Sequence, residues 1–257
     1  MPQIITLPAR QDNYIWLIRE GDQAIVVDPG DAAPVEARLE QLGLALTGIL
    51  ITHFHGDHIE GVPALLARWP QAQLCTPVGW PGPAAEHHRQ LTDGDNLDFP
   101  TLGLQFTVMH LPGHTAEHLA FVGHGALFCG DTLFAGGCGR VFTGQPTLMW
   151  HSLQRLAALP PETQIYCAHE YTRANLEFCL RVEPDNLDTR QRLQQISKLR
   201  QQGLPTVPSR LEEELATNVF LRTHEVAVRA WCEIQTATLT ENEQQVFAIL
   251  REKKNTL

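Results

Sequence analysis

The chain has 257 residues and a formal charge of −10, a balance that argues against a nucleic-acid binder, whose phosphate partners demand a basic footprint. Its length allows one large domain, or one domain with a smaller appendage, and an ample core. No apolar run reaches membrane-spanning length, and Met1-Pro2-Gln3-Ile4-Ile5 has neither the basic nor the apolar region of a signal peptide.

Ile4 to Leu7, Tyr14 to Ile18 and Ala24 to Val27 read as strands. Val35 to Leu42 reads as an amphipathic helix stopped by Gly43. A strand at Gly48 to Ile51, a helix from about Ile59 to Trp69 and a strand at Gln73 to Thr76 follow. Pro77 to Pro83 reads as a rigid surface loop, with His87 and His88 beyond it facing solvent. Strands dominate from Leu104 to Cys129, before a helix around Leu148 to Leu159. After His169 the texture changes. Asn175 to Arg181, Thr189 to Gln202 and Glu243 to Lys253 carry helical periodicity, and strand runs nearly vanish. This predicts two sheets flanked by helices over residues 1–168 and a helical domain over residues 169–257.

Thr52-His53-Phe54-His55-Gly56-Asp57-His58 carries the chemistry. In an extended stretch His53 and His55 point the same way and can share one cation. Gly56 permits a sharp bend, after which Asp57 and His58 serve a second. Neutral imidazole beside carboxylate suits zinc, iron or manganese. Three further apolar strands end in metal-type side chains: Phe106–Met109 before His110 and His114, Ala126–Gly130 before Asp131, and Gln164–Ala168 before His169. Loops at the ends of such strands are where catalytic groups sit. Among His110, His114 and His118, spacing does not choose. The Pro112-Gly113 turn favours presenting His114.

Six cysteines, at 75, 129, 138, 167, 179 and 232, include no Cys-x-x-Cys pair, which suits reduced thiols in a cytosol. Cys129, Cys138 and Cys167 lie near the ligand candidates and read as small buried filler.

His53-x-His55-x-Asp57-His58 followed by His114, Asp131 and His169 resembles the metallo-β-lactamase superfamily. Asp12-Asn13-Tyr14, Val27-Asp28-Pro29-Gly30-Asp31, Pro112-Gly113-His114-Thr115, Gly130-Asp131-Thr132-Leu133-Phe134 and Gly137-Cys138-Gly139-Arg140 narrow the resemblance. So do Cys167-Ala168-His169-Glu170-Tyr171-Thr172, Asn218-Val219-Phe220-Leu221-Arg222 and Arg251-Glu252-Lys253-Lys254. End to end, the chain is similar to the glyoxalase II family, the hydroxyacylglutathione hydrolases.

The resemblance implies a four-layer αββα sandwich with a C-terminal helical domain. It implies one metal held by His53, His55 and His114, a second by Asp57, His58 and His169, and Asp131 bridging both. Two divalent ions, zinc before iron or manganese, would serve a thioester hydrolase acting on S-(2-hydroxyacyl)glutathione, chiefly S-D-lactoylglutathione. Asp57 and Asp131 would be the catalytic carboxylates, with Asp57 orienting water. Arg140, Tyr171, Arg251 and Lys254 would contact the anionic substrate. Phe142 falls where some relatives carry tyrosine, and Arg140 where some carry lysine, which changes the binding geometry. Asp28 and Asp31 are expected behind the ligands or in a turn. A cytoplasmic monomer without nucleic-acid or membrane partners is the expectation. The alternative is a mononuclear-iron glutathione persulfide dioxygenase of the same superfamily, against which the long helical tail counts. A purely structural metal module is the other rival, but structural zinc sites are closed and tetrahedral, whereas seven ligands shared by two metals leave coordination open.

Overall fold

A computed structural model describes residues 2–256; Met1, the first residue of the opening segment above, and Leu257 lie outside the described residues. Two compact units result. One holds the residues up to His110 together with Glu117–Gly130, the other Leu111–Ala116 together with the residues from Asp131 onward. These divisions fall elsewhere than the change of texture at 168, because they follow packing between distant segments and not the local periodicity of the chain.

In the first unit, β1 (Gln3–Ala9), β2 (Asn13–Glu20) and β3 (Gln23–Val27) form an antiparallel meander. Helix α1 (Ala32–Leu42) then carries the chain to β4 (Ala45–Leu50), parallel to β3. Asp31 caps α1 by accepting from the Ala33 amide at 3.0 Å, and Gly43 ends it in the left-handed conformation at φ 64°. After α2 (Gly56–Ile59) and α3 (Val62–Arg68), β5 (Gln73–Pro77) and β6 (His88–Leu91) extend the sheet in parallel.

Six consecutive residues of β2, Asn13 to Ile18, are buried, because both faces of the strand are covered. Ile15 and Leu17 join Val26, Val35, Leu39, Val62 and Leu65 in one apolar cluster under α1 and α3. Trp16 and Ile18 point to the opposite face by the pleat's alternation. Each such fully buried side chain stabilises the fold by roughly 1.5–3 kcal/mol.

A second antiparallel run follows: β7 (Asn96–Phe99), β8 (Leu104–His110), β9 (Leu119–Gly123) and β10 (Ala126–Gly130). Phe99 of β7 presses on β4 at Gly48, where a Cβ would lie 2.5 Å from its ring. A side chain there would push the two runs apart.

The second unit opens with the hairpin β11 (Leu133–Phe134) and β12 (Gly137–Cys138). Helix α4 (Pro146–Ala157) leads to β13 (Gln164–Cys167), which pairs with β14 (Ser209–Arg210). The helices α5 (Thr172–Val182), α6 (Leu187–Gln201), α7 (Leu211–Thr217), α8 (Val226–Thr236) and α9 (Glu243–Thr256) make up the rest. Helices α5 and α9 meet at Phe220, fully buried, which stacks on Phe178 of α5 at 5.9 Å and meets Phe247 of α9 at 5.8 Å.

Three expectations change. The helix expected from Ile59 to Trp69 is two helices, because Gly61 is wedged against the neighbouring turn. Its amide donates to the Pro29 carbonyl at 3.0 Å, and a Cβ would lie 2.5 Å from that oxygen. His88 does not face solvent: it is half-buried in β6 and bonded to Thr76 Oγ1 at 2.9 Å, while His87 is exposed. Desolvation pushes the His88 pKa below the usual histidine value. Finally β6, β7, α7 and α8, together with the two-residue strands β11, β12 and β14, have no counterpart in the sequence reading. Strands β6 and β7 are short and rich in polar residues, held by their neighbours in the sheet.

Candidate metal centre

The chain leaves β4 at Leu50 and bends at Thr52, after which the His53 and His55 rings meet edge-on with centroids 4.7 Å apart. His55 is the residue before α2, and Asp57 and His58 lie in that helix's single turn. The change of direction is therefore the start of a helix, not a special glycine conformation. Gly56 supplies room, since a Cβ there would lie 2.3 Å from Glu60 Oε1.

Asp28 lies at the end of β3 with φ 51°, and is buried. Its Oδ1 accepts from the Thr52 amide at 2.8 Å, and its Oδ2 from Thr52 Oγ1 at 2.7 Å and His58 Nδ1 at 3.0 Å. With its own proton given to Asp28, Thr52 Oγ1 must accept from His53 Nδ1, 3.0 Å away. One carboxylate thus holds both His53 and His58 as Nδ1–H tautomers, leaving each Nε2 lone pair for coordination. His53 also stacks on buried His118, ring centroids 4.8 Å apart.

His53 Nε2 lies 3.1 Å from His55 Nδ1, and His58 Nε2 lies 3.6 Å from Asp57 Oδ2. Asn13 donates its Nδ2 to the same Asp57 oxygen at 2.9 Å. This contact was not assigned from sequence, although Asp12-Asn13-Tyr14 is among the motifs that carry the resemblance.

In the second unit, Gly113 reaches φ 155° where a Cβ would lie 2.6 Å from Met149 Cα, so the turn before His114 admits only glycine. His114 Nδ1 donates to the Arg140 carbonyl at 2.9 Å, which turns Nε2 toward Asp131. Asp131 stands between two imidazoles. His114 Nε2 is 3.4 Å from Oδ2 and His169 Nε2 is 3.3 Å from Oδ1, all three residues being buried.

The four donor–donor separations, 3.1, 3.6, 3.4 and 3.3 Å, share one physical meaning. Donors ~2.0–2.1 Å from a tetrahedral ion stand about 3.3 Å apart. The bare Nε2 of His114 against a carboxylate oxygen sets lone pair against lone pair, which a cation between them relieves. The donor set therefore fits divalent metal ions in both units. His110 ends β8 in the first unit with its amide bonded to Asp93 at 2.7 Å. The structure thus favours His114 beside Asp131.

The expected substrate residues lie in the second unit. Arg140 is exposed, and Tyr171, 38% exposed, stacks on His169 with ring planes 2° apart. Exposed Phe142 meets His114 edge-on, 5.2 Å between centroids. The C-terminal cations, expected to meet an anionic substrate, are instead engaged within the second unit. Arg251 is buried, donates Nη1 to the Cys138 carbonyl at 2.8 Å and lies over the Phe220 ring. Half-buried Lys254 donates to the Ala174 carbonyl at 2.9 Å and lies over Phe178, and burial lowers its pKa. The cysteines are buried and form no disulfide. Burial pushes Cys75, Cys167, Cys179 and Cys232 up to about 12 and raises Cys138 as well, which fits filler and not nucleophiles.

Two family models match in succession: the metallo-β-lactamase superfamily over residues 10–169 and the hydroxyacylglutathione hydrolase C-terminus over residues 170–257. The hydroxyacylglutathione hydrolase of Tolumonas auensis is 55% identical over 257 residues, covering all of both chains. A metallo-β-lactamase structure from Staphylococcus aureus aligns with a TM-score of 0.67 at 18% identity, over 99% of this chain and 71% of that one. A protein solved in a di-iron-bound form aligns at 30% identity with a TM-score of 0.53, over 65% of this chain and 91% of its own. The fold is the metallo-β-lactamase fold with a helical C-terminal domain. The chain belongs to the hydroxyacylglutathione hydrolase family of the metallo-β-lactamase superfamily.

Proposed function

We propose that this protein hydrolyses S-(2-hydroxyacyl)glutathione thioesters, chiefly S-D-lactoylglutathione, to D-lactate and glutathione. The observation that carries this reading is the full-length 55% identity to a hydroxyacylglutathione hydrolase. The mononuclear-iron dioxygenase is not favoured, since residues 170–257 match the hydroxyacylglutathione hydrolase C-terminus.

In this reading His53, His55 and His114 hold one divalent ion, Asp57, His58 and His169 a second, and Asp131 serves both. We assign zinc to the pair, with iron second because the relative described above was solved with two irons. Bound ions supply Lewis-acid activation of water and polarise the thioester carbonyl. Asp57, fixed through Oδ2 by Asn13, orients the attacking water. Water adds its oxygen to the acyl carbon and the C–S bond breaks, the sulfur leaving with the electron pair. A thiol with pKa near ~8.5 leaves as thiolate without a general acid, so the chain needs no side-chain nucleophile.

Residues 1–168 form the catalytic domain of this proposal and 169–257 the helical substrate-binding domain. Arg140, Tyr171 and Lys254 are its substrate contacts, whereas the buried Arg251 is assigned to holding the Cys138 carbonyl and not to meeting substrate. Among the described residues no helix is long and apolar enough to cross a membrane, and a cytoplasmic monomer completes the reading.

The test is turnover of S-D-lactoylglutathione together with metal analysis. Close to two ions per chain and rapid thioester cleavage are expected, and Asp131→Ala should lower both. Full activity in Asp131→Ala, or no cleavage by metal-replete protein, overturns the proposal.

A further inference from the structure

The hairpin that follows Asp131 is held from outside. The Phe134 and Gly137 carbonyls accept from Asn218 Nδ2 at 3.3 and 3.0 Å, and the Ala135 carbonyl from Asn175 Nδ2 at 3.1 Å. The Gly136 carbonyl accepts from Cys179 Sγ at 3.2 Å, and the Cys138 carbonyl from Arg251 Nη1 at 2.8 Å. The Gly136 amide donates to Glu214 Oε2 at 2.7 Å. Every carbonyl from 134 to 138 is thus held by a side chain from residues 175–251. Glu214 is fully buried, paired with buried Arg192, and also accepts from Asn218 at 3.2 Å.

The same hairpin frames the three ligand candidates of its unit. Asp131 stands at its start, where a Cβ on Gly139 would lie 1.9 Å from the Asp131 carbonyl. His114 is oriented by the carbonyl of Arg140, just past its end. Phe134 meets the His169 ring edge-on at 5.7 Å. There is no slack on the other side either, since a Cβ on Gly137 would lie 2.6 Å from the Asn175 side chain.

We infer that Glu214 and Asn218 are positioning residues for the metal ligands Asp131, His114 and His169, acting through the backbone of residues 134–138. This rests on the metal-site reading above. The helical segment then has a second task besides meeting substrate: it shapes half of the ligand set. The tight contacts on both sides mean that a displaced hairpin displaces Asp131 and the Arg140 carbonyl together. Partners behind metal ligands typically change metal affinity by ~10–100-fold when removed.

The experiment compares metal affinity, by chelator competition with zinc, in the full-length parent, Glu214→Gln, Asn218→Ala and Ile196→Ala, alongside the melting temperature of each metal-free protein. Ile196 is buried on α6 and reports general loss of helix packing. The expected result is at least a tenfold weaker hold on metal in Glu214→Gln and Asn218→Ala, with parental affinity in Ile196→Ala at a similar loss of melting temperature. If either positioning variant fails to fold, Asn175→Ala, which frees one carbonyl only, carries the same expectation. Parental affinity in the folded positioning variants, or equal weakening in Ile196→Ala at matched melting temperature, overturns the inference alone. A parent that binds no zinc overturns this inference and the metal-site reading together.

Discussion

His58 Nδ1 donates to Asp28 Oδ2 across 3.0 Å, and this one bond decides which nitrogen of His58 is left for a metal. Thr52 extends the same control to His53, so a single buried carboxylate sets two imidazoles at once. Its backbone, at φ 51°, is one that asparagine also tolerates.

Asp28→Asn therefore tests the charge and its acceptors with little backbone strain. An amide has one oxygen and cannot replace both carboxylate acceptors, so its NH₂ would face either the Thr52 amide or His58 Nδ1–H. Metal affinity is expected to fall ~10–100-fold, measured by chelator competition. Parental affinity would refute the tautomer argument.

The turn histidine and the strand-end histidine should separate cleanly. His114→Ala is expected to lose one of two ions and most turnover, because Asp131 then faces a single imidazole in its unit. His110→Ala should keep its metal and most of its activity. Metal analysis and initial rates on S-D-lactoylglutathione decide, and a reversed pattern would move the ligand to His110.

Arg251 and Lys254 should no longer behave alike. Arg251→Ala leaves the Cys138 carbonyl unsatisfied in the interior, a loss of about 1–3 kcal/mol, and should lower the melting temperature. Lys254→Ala should mainly raise KM with kcat nearly unchanged, the mark of uniform binding. Equal stability of the two variants would show that the Arg251 contact contributes little.

Thiol chemistry gives a further check. With Cys75, Cys167, Cys179 and Cys232 pushed up to about 12, roughly one thiol in ten thousand is ionised at pH 8. Iodoacetamide at that pH should leave turnover intact and add no mass to the folded protein. Inactivation with uptake of one equivalent would point to a cysteine nucleophile.

The first half of the ligand set was legible because it is local. His53, His55, Asp57 and His58 occupy six residues, and the period of an extended segment states which of them point together. Gly43 as a helix stop and the strands around Ile15, Ile25 and Ile49 were legible for the same reason. The break at Gly61 was not, since it depends on a carbonyl 32 residues earlier in the chain, that of Pro29. The frame of the Asp131 hairpin was likewise hidden. Its partners stand 40 to 113 residues away, and Asn175, Glu214 and Asn218 obey no periodicity that would mark them. The burial of Arg251 was missed because a basic helix end looks free to meet an anionic substrate until its neighbours are known.

The distance from Cys138 to Arg251 also sets a schedule. At about 5–20 residues per second of synthesis, the 113 residues between donor and acceptor take roughly 6–23 s to make. Once His169 is made, 31 residues into that interval (169 − 138), the nascent chain carries every histidine and aspartate of the proposed centre, while the last clasp on their loop does not yet exist. A chain halted near residue 169 would remain in that condition for good, with its chemistry encoded but its hairpin carbonyls deprived of the side chains of Asn175, Cys179, Asn218 and Arg251.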